Sequence, residues 1–387
     1  MTMEMSGDLP RDLVVEEILT RVPATDDLIE MGTTCKLWNH MFTRDGRFAR
    51  KHTDKAAKQF LVLLLRREST ISRTIVDLDG KVASLEVKAE VSLVDPKYPA
   101  DQFDIKRVFH CDGLLLCTSF DESRFVVWNP FTGETRWFLP SYRYIKDRHF
   151  ALGYYKEGNH KSYKVLSFYP YSKDFEMYEF GSDSWRVVDD IMAPGWKLGY
   201  CSVDVSLKGS TYWFAEDKTK TQSIVSLVKF DYSTEKCVPV PLPYQRSRYD
   251  VIGLSVVKDE KLSVLLQLEY TSKTEIWVTS KIGETNKGVS WSKVLAFDMT
   301  PDFRLCYEAR FLLDDEKKVV MIAVNWVDFE DETKARDMVY IIGEDNEATL
   351  VDVGPSIEDE FRADIFNYCP SLVQIQRAGG KRKRADM

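Results

Sequence analysis

The chain has 387 residues, of which 44% are hydrophobic, 29% charged and 12% aromatic, with a formal net charge of -8. That length exceeds what one hydrophobic core usually serves, so two or more units or a repeat architecture are expected, and the composition excludes a disordered chain. The excess of acid excludes a nucleic-acid backbone as the main partner of the whole body.

The opening MTMEMSGDLP has no basic region followed by an apolar core, and the most apolar run, Phe60 to Leu65, is too short to span a bilayer. The expectation is an intracellular protein, nuclear or cytoplasmic, with no membrane partner. Seven scattered cysteines without CxxC spacing read as reduced thiols in apolar surroundings.

After Pro10, the residues Val15, Ile18, Leu19 and Val22 fall on one face of a short helix that Pro23 ends. Thr25, Asp26 and Asp27 offer capping oxygens to a second helix, in which Leu28, Met31, Cys35, Trp38 and Phe42 recur every three or four residues. So small a module buries too little apolar surface to be very stable alone and must pack on something.

The series Leu9-Pro10, Asp12-Leu13-Val14, Glu16, Ile18-Leu19, Arg21 and Pro23, followed by Cys35-Lys36 and Trp38, resembles the F-box motif in order and spacing. The resemblance implies docking on a Skp-type adaptor, and through it on cullin and RING subunits of an SCF ubiquitin ligase. Carried over residue by residue, the implied contacts are Leu9, Pro10, Leu13, Ile18, Leu19, Leu28, Cys35 and Trp38. The second helix departs from the family pattern at Ile29-Glu30-Met31-Gly32-Thr33-Thr34, and a helix-interior glycine costs about 1 kcal/mol. Residues 51–59 continue a basic, helix-permissive stretch that reads as a linker.

The body repeats itself. A strand, a polar turn and a second strand recur in VVWNPFTGETRWFLP, EMYEFGSDSWRVV and VKFDYSTEKCVPVPLP, where Asn129, Glu179 and Asp231 hold equivalent places at separations of 50 and 52. A second hairpin alternates with the first, its turns marked by Gly113, His160, Gly209, Glu260 and Glu316. Two hairpins in about fifty residues make a four-stranded propeller blade, and residues 60–375 then hold about six.

Segments such as GLLLC, WNPFTGETRW, YKVLSF and YEFGSDSWR look like those of plant F-box proteins with a C-terminal F-box-associated interaction domain of type 1, the F-box/kelch-like group. The paired glycines of true kelch repeats are absent. The expected fold class is therefore α+β multidomain: a small all-α F-box at residues 4–50, a helical linker at 51–59, a mostly antiparallel β-propeller at 60–375 and a basic tail at 376–387.

In such blades the tight turns share one face, and the blade-to-blade crossings share the other. The crossings PSYRYIKDRH, DIMAPGWKLG and PYQRSRYD carry Tyr142, Arg143, Tyr144, Trp196, Arg246, Arg248 and Tyr249, side-chain types that anchor protein interfaces. These are the expected target contacts. The run Lys381, Arg382, Lys383 and Arg384 after a Gly pair has the form of a nuclear-import signal.

None of the five histidines stands in metal-ligand spacing, and no phosphate loop or nucleophile elbow is present. The expected activity is non-catalytic, with no cofactor and no metal: a receptor that brings a target protein to a ligase by proximity. Two alternatives are a glycan-binding or enzymatic propeller with an incidental helical cap, and a scaffold with a degenerate F-box.

Overall fold

A computed structural model describes residues 18–24, 26–34, 36–56, 61–65, 71–77, 84–91, 93–99, 103–141, 143, 148–158, 160–169, 172, 174–198, 204–219, 224–244, 249–268, 271, 273–283, 289–298, 309–326, 336–355 and 364–375. A 3-10 turn at Leu19–Arg21 precedes α1 (Asp26–Thr34), α2 (Lys36–Arg44) and α3 (Gly46–Lys55), and strands follow to the end of the described chain.

The second helix, expected as one, is described as two packed against each other. A Cβ on Gly32 would lie 3.0 Å from the Phe42 ring. In one continuous helix ten residues span about 15 Å, so contact between these positions requires the chain to turn between them. Gly32 is what lets α1 approach Phe42, and the Thr33 and Thr34 hydroxyls donate to the carbonyls of Glu30 and Met31 at the end of α1.

Asp45 caps α3 by accepting from the amides of Arg47 and Phe48, and the helix runs through the division drawn at residue 50. Phe48 and Ala49 belong to the helical core with Leu19, Leu28, Met41 and Phe42, while His52 Nε2 lies 2.7 Å from the Val22 carbonyl. The linker stretch is thus part of the helical module at least to Lys55.

The β body forms six antiparallel sheets among the described residues. Five are each one contiguous run of chain: β4–β7 (Ile105–Cys111, Leu114–Ser119, Phe125–Trp128, Thr135–Phe138), β8–β11 (His149–Glu157, His160–Phe168, Phe175–Glu179, Ser184–Val187), β12–β16 (Trp196–Leu198, Asp204–Leu207, Ser210–Asp217, Ile224–Asp231, Lys236–Val240), β17–β20 (Tyr249–Val257, Lys261–Leu268, Lys273–Thr279, Trp291–Asp298) and β21–β24 (Arg310–Asp314, Val319–Trp326, Arg336–Ile342, Ala348–Pro355). The remaining sheet is one that no single fifty-residue run makes. It joins β1 (Leu61–Leu65), β2 (Ile71–Asp77) and β3 (Ser84–Val91) to β25 (Asp364–Tyr368), with Leu61 paired to Tyr368 and Leu65 to Asp364. Counting fifty-residue periods in series therefore gives five blades in full, and the closing sheet comes from the two ends of the body.

Turn chemistry sets these hairpins. Asp112-Gly113 and Lys208-Gly209 carry positive φ at both turn positions, the geometry of tight two-residue hairpins. Gly113 meets a second demand, because a Cβ there would collide with the Ser371 side chain. In the outer hairpins Asn129 and Asp231 accept from the amides two and three residues on, and Gly133, Asp183 and Glu235 take the left-handed position that ends the turn.

The innermost strands β4, β8, β13, β17, β21 and β25 contact one another around the hub. Between neighbouring blades lie apolar clusters, such as Phe125, Phe138, Phe150, Tyr178 and Phe180. The rings of Phe138 and Tyr178 stack at 4.4 Å, and Phe125 meets Phe150 at 4.7 Å, so consecutive sheets share one core.

Candidate functional site

The topology gives the propeller two unlike faces. Hairpin turns β4–β5, β8–β9 and β13–β14 open on one face, and the crossings between blades open on the other. The helical module sits on the turn face. Leu372, just after β25, enters the helical core, and Phe131 of the β6–β7 turn packs against it.

The segment after β25 fixes that seat. Asn129, fully buried, donates from Nδ2 to the carbonyls of Ser371 at 2.9 Å and Val373 at 2.8 Å. Ser371 Oγ donates to the Asp112 carbonyl, and the Ile375 amide donates to Glu134 Oε2. One polar side chain thus ties the end of the chain's sheet closure to the blade beneath the helices.

The implied adaptor contacts separate into three groups. Ile18 is exposed and Trp38 half-buried. Leu19 and Leu28, at 1% and 0% exposure, are interior residues of the helical core, so their apolar spacing reports packing within the chain and not an outer contact. Leu9, Pro10, Leu13 and Cys35 lie outside the described residues, as do Lys381, Arg382, Lys383 and Arg384.

On the crossing face, Arg143 is exposed with a guanidinium nitrogen 3.6 Å from Asp174. Trp196 is half-buried against the cluster of Leu198, Trp213 and Phe230. Tyr249 requires a correction: it is 4% exposed, packs with Ile252 and Leu254, and donates its hydroxyl to the Tyr244 carbonyl. A register shift between Tyr249 and Val251 changes the alternation there and turns the ring inward. Tyr142, Tyr144, Arg246 and Arg248 lie outside the described residues.

Sequence reasoning missed the residue that organises this face. Arg148 is 0% exposed and donates to Ser167 Oγ at 2.8 Å, Asp174 Oδ2 at 2.7 Å and the carbonyls of Ser167 and Asp174, with Glu176 at 3.6 Å. Ser141 donates to the other Glu176 oxygen and accepts from the Arg143 amide. The crossing that carries Arg143 is therefore anchored at both ends.

The innermost strands bring titratable groups to the hub at their first residues: His149, Asp204, Arg310 and Asp364, with Arg107 near the start of β4. Arg310 Nε approaches Asp364 Oδ1 at 3.5 Å. Burial holds His149 down to about 3, with the Arg107 and Arg310 charges adding to the effect, so the ring is neutral at ordinary pH. Burial raises Asp364 and pushes Asp204 up to about 7; for Asp204 the Arg310 charge opposes the rise and the Asp364 charge adds to it.

That rise has a measurable sign. Because the folded value of Asp204 lies above its unfolded value, its stabilising protonation is lost as pH rises from about 4 through about 7. In thermal melts, Asp204→Asn should gain on the wild type between about pH 5 and pH 8. A gap in melting temperature that stays constant over that range would contradict the assignment.

Burial raises Cys111 and Cys117 well above the ordinary thiol range and pushes Cys237 up to about 12, so none is a reactive thiolate. Among the described residues no group of three His, Cys, Asp or Glu is placed to hold a metal ion, and no helix is long and apolar enough to cross a membrane.

Residues 61–375 match the family described as F-box associated beta propeller domain. The match starts at residue 61, so the domain makes up most of the chain and is not a C-terminal appendage. The chain is 53% identical to F-box protein ETP2 of Arabidopsis thaliana over 386 residues, covering 97% of this chain and 98% of that protein. F-box protein ETP1 of the same plant is 46% identical, with 98% and 99% covered. An F-box/kelch-repeat protein, again of Arabidopsis thaliana, is 51% identical, with 97% and 98% covered. On the match over residues 61–375 and on relatives of about half identity along nearly their whole length, the chain belongs to the family of F-box proteins that carry an F-box associated beta propeller domain.

Proposed function

We propose that this chain is the target-recognising subunit of an SCF-type cullin-RING ubiquitin ligase. In this reading the helical module docks on a Skp-type adaptor through Leu9, Pro10, Leu13, Ile18, Cys35 and Trp38. The propeller holds a target protein on its crossing face, through Tyr142, Arg143, Tyr144, Trp196, Arg246 and Arg248. The chain carries no catalytic group of its own in this scheme. It raises the local concentration of target near a ligase whose other subunits do the chemistry.

The observation that carries the reading is the opposition of the two surfaces. Leu372, Phe131 and Asn129 hold the helices on the turn face, which leaves the crossings directed away from them. An adaptor on the helices and a target on the crossings then bind without competing. Lys381 to Arg384 serve, in the same reading, as a nuclear-import signal.

The triple substitution of Arg143, Arg246 and Arg248 by Glu tests the target face. In proximity labelling with the proteasome inhibited, the variant should lose the labelled proteins that the wild type captures while still labelling the adaptor. Unchanged labelling would move the target site elsewhere.

A further inference from the structure

A cleft of about 1330 Å³ separates α3 from the turn face of the propeller. Its lining holds seven Lys and Arg against three Asp and Glu, an excess of four positive charges in a chain whose formal net charge is -8. Arg47, Arg50 and Lys51 stand three and four residues apart, the spacing of one helix face, and form the upper wall. Lys156 at the end of β8 and Lys208 of the β13–β14 turn form the wall opposite.

The acids in the lining do not neutralise this excess. The excess of four is what remains once the three acids are subtracted; Asp112 pairs with Lys161, one of the seven, accepting from its Nζ at 2.5 Å, and also accepts from the Tyr163 hydroxyl. The wall also holds Gln374, whose Oε1 faces Gly46 and whose buried Nε2 has no acceptor among the described residues.

We propose that this cleft binds an extended acidic peptide segment of a partner protein. Size decides between an acidic segment and a small anion. Pockets for small molecules run about 300–1,000 Å³, and one phosphate group would leave most of this cleft to water. A strand of several Asp and Glu residues instead reaches both basic walls at once. Between two walls, and partly shielded from salt, the attraction is larger than the same charges would give on an open surface. The site stands whether or not the helical module meets an adaptor.

Fluorescence anisotropy on the full chain tests it, with a fluorescein-labelled peptide of alternating Glu and Asp and a neutral control of alternating Gln and Asn. The acidic peptide should bind at least about tenfold more tightly than the control, a difference of about 1.4 kcal/mol. R47E/R50E/K156E should weaken acidic-peptide binding at least about tenfold, and R47Q/R50Q by less. K218E/K273E, beside the crossings, should change it by less than about twofold.

Equal losses from K218E/K273E would reduce the effect to diffuse charge and overturn the proposal. So would equal binding of the acidic and neutral peptides, or binding of inorganic tripolyphosphate at this cleft where the peptide does not bind. R47Q/R50Q keeps the helix charges from reversing, so it reads the cleft even if the triple reversal unfolds. Adaptor capture by the same variants, measured alongside, separates failure of this site from failure of the ligase reading.

Discussion

Arg148→Met is expected to cost about 3–5 kcal/mol of stability, more than any substitution of an exposed arginine in this chain. The guanidinium is fully buried and supplies hydrogen bonds to Ser167, to the Asp174 carboxylate and to two carbonyls. Removing it leaves Glu176, 2% exposed, as a buried carboxylate whose nearest opposite charge is gone. The desolvation of that carboxylate is then uncompensated, and the carbonyls of Ser167 and Asp174 each lose a donor.

A second substitution distinguishes this account from simple loss of packing. Glu176→Gln removes the stranded charge, so Arg148→Met with Glu176→Gln should be more stable than Arg148→Met alone. The coupling in a double-mutant cycle should be at least about 1 kcal/mol, read from denaturant midpoints. Additive effects would show that Glu176 does not depend on Arg148. Since Ser141 bridges Glu176 to the Arg143 backbone, the single variant should also loosen the crossing and weaken any target held there.

Such an arginine is hard to find in the sequence. Arg148 stands in PSYRYIKDRH among Arg143, Lys146 and Asp147, where a charged residue ordinarily meets water. Its partners Asp174 and Glu176 come 26 and 28 residues later, beyond the reach of local pattern. The hairpins were legible for the opposite reason. Asn129 and Asp231 serve the backbone only two and three residues away, so each repeat carries its own turn signal.

Closure of the ring was not legible, because it pairs Leu61 with Tyr368 and neither strand predicts the other. The same distance hides Leu372, which follows β25 and docks into the helical core. Tyr249 was misassigned through a local irregularity: a bulge shifts the two-residue alternation that would have shown which face it takes. Gly32 looked like a loss of helix stability, yet its missing side chain lets α1 approach Phe42.

The largest functional effect is expected from two residues that precede the helical module in sequence. Leu9→Ala with Pro10→Ala removes the apolar pair that the F-box resemblance puts at the adaptor contact, and the two residues precede the helical core of Leu19, Leu28 and Phe42. Apolar anchors near the centre of an interface cost about 2 kcal/mol or more each on truncation, so the pair should weaken adaptor binding by more than about a hundredfold. Neither residue belongs to the propeller, so the melting transition of the β body should remain where it is.

Co-purification of the full chain with a Skp-type adaptor shows whether the helical module docks on it. The wild type should form a stoichiometric complex, Leu9→Ala with Pro10→Ala should lose the adaptor, and the triple Glu variant of Arg143, Arg246 and Arg248 should retain it. A wild-type chain that is folded and does not retain the adaptor, or a Leu9→Ala, Pro10→Ala variant that retains it fully, would contradict the ligase-receptor reading.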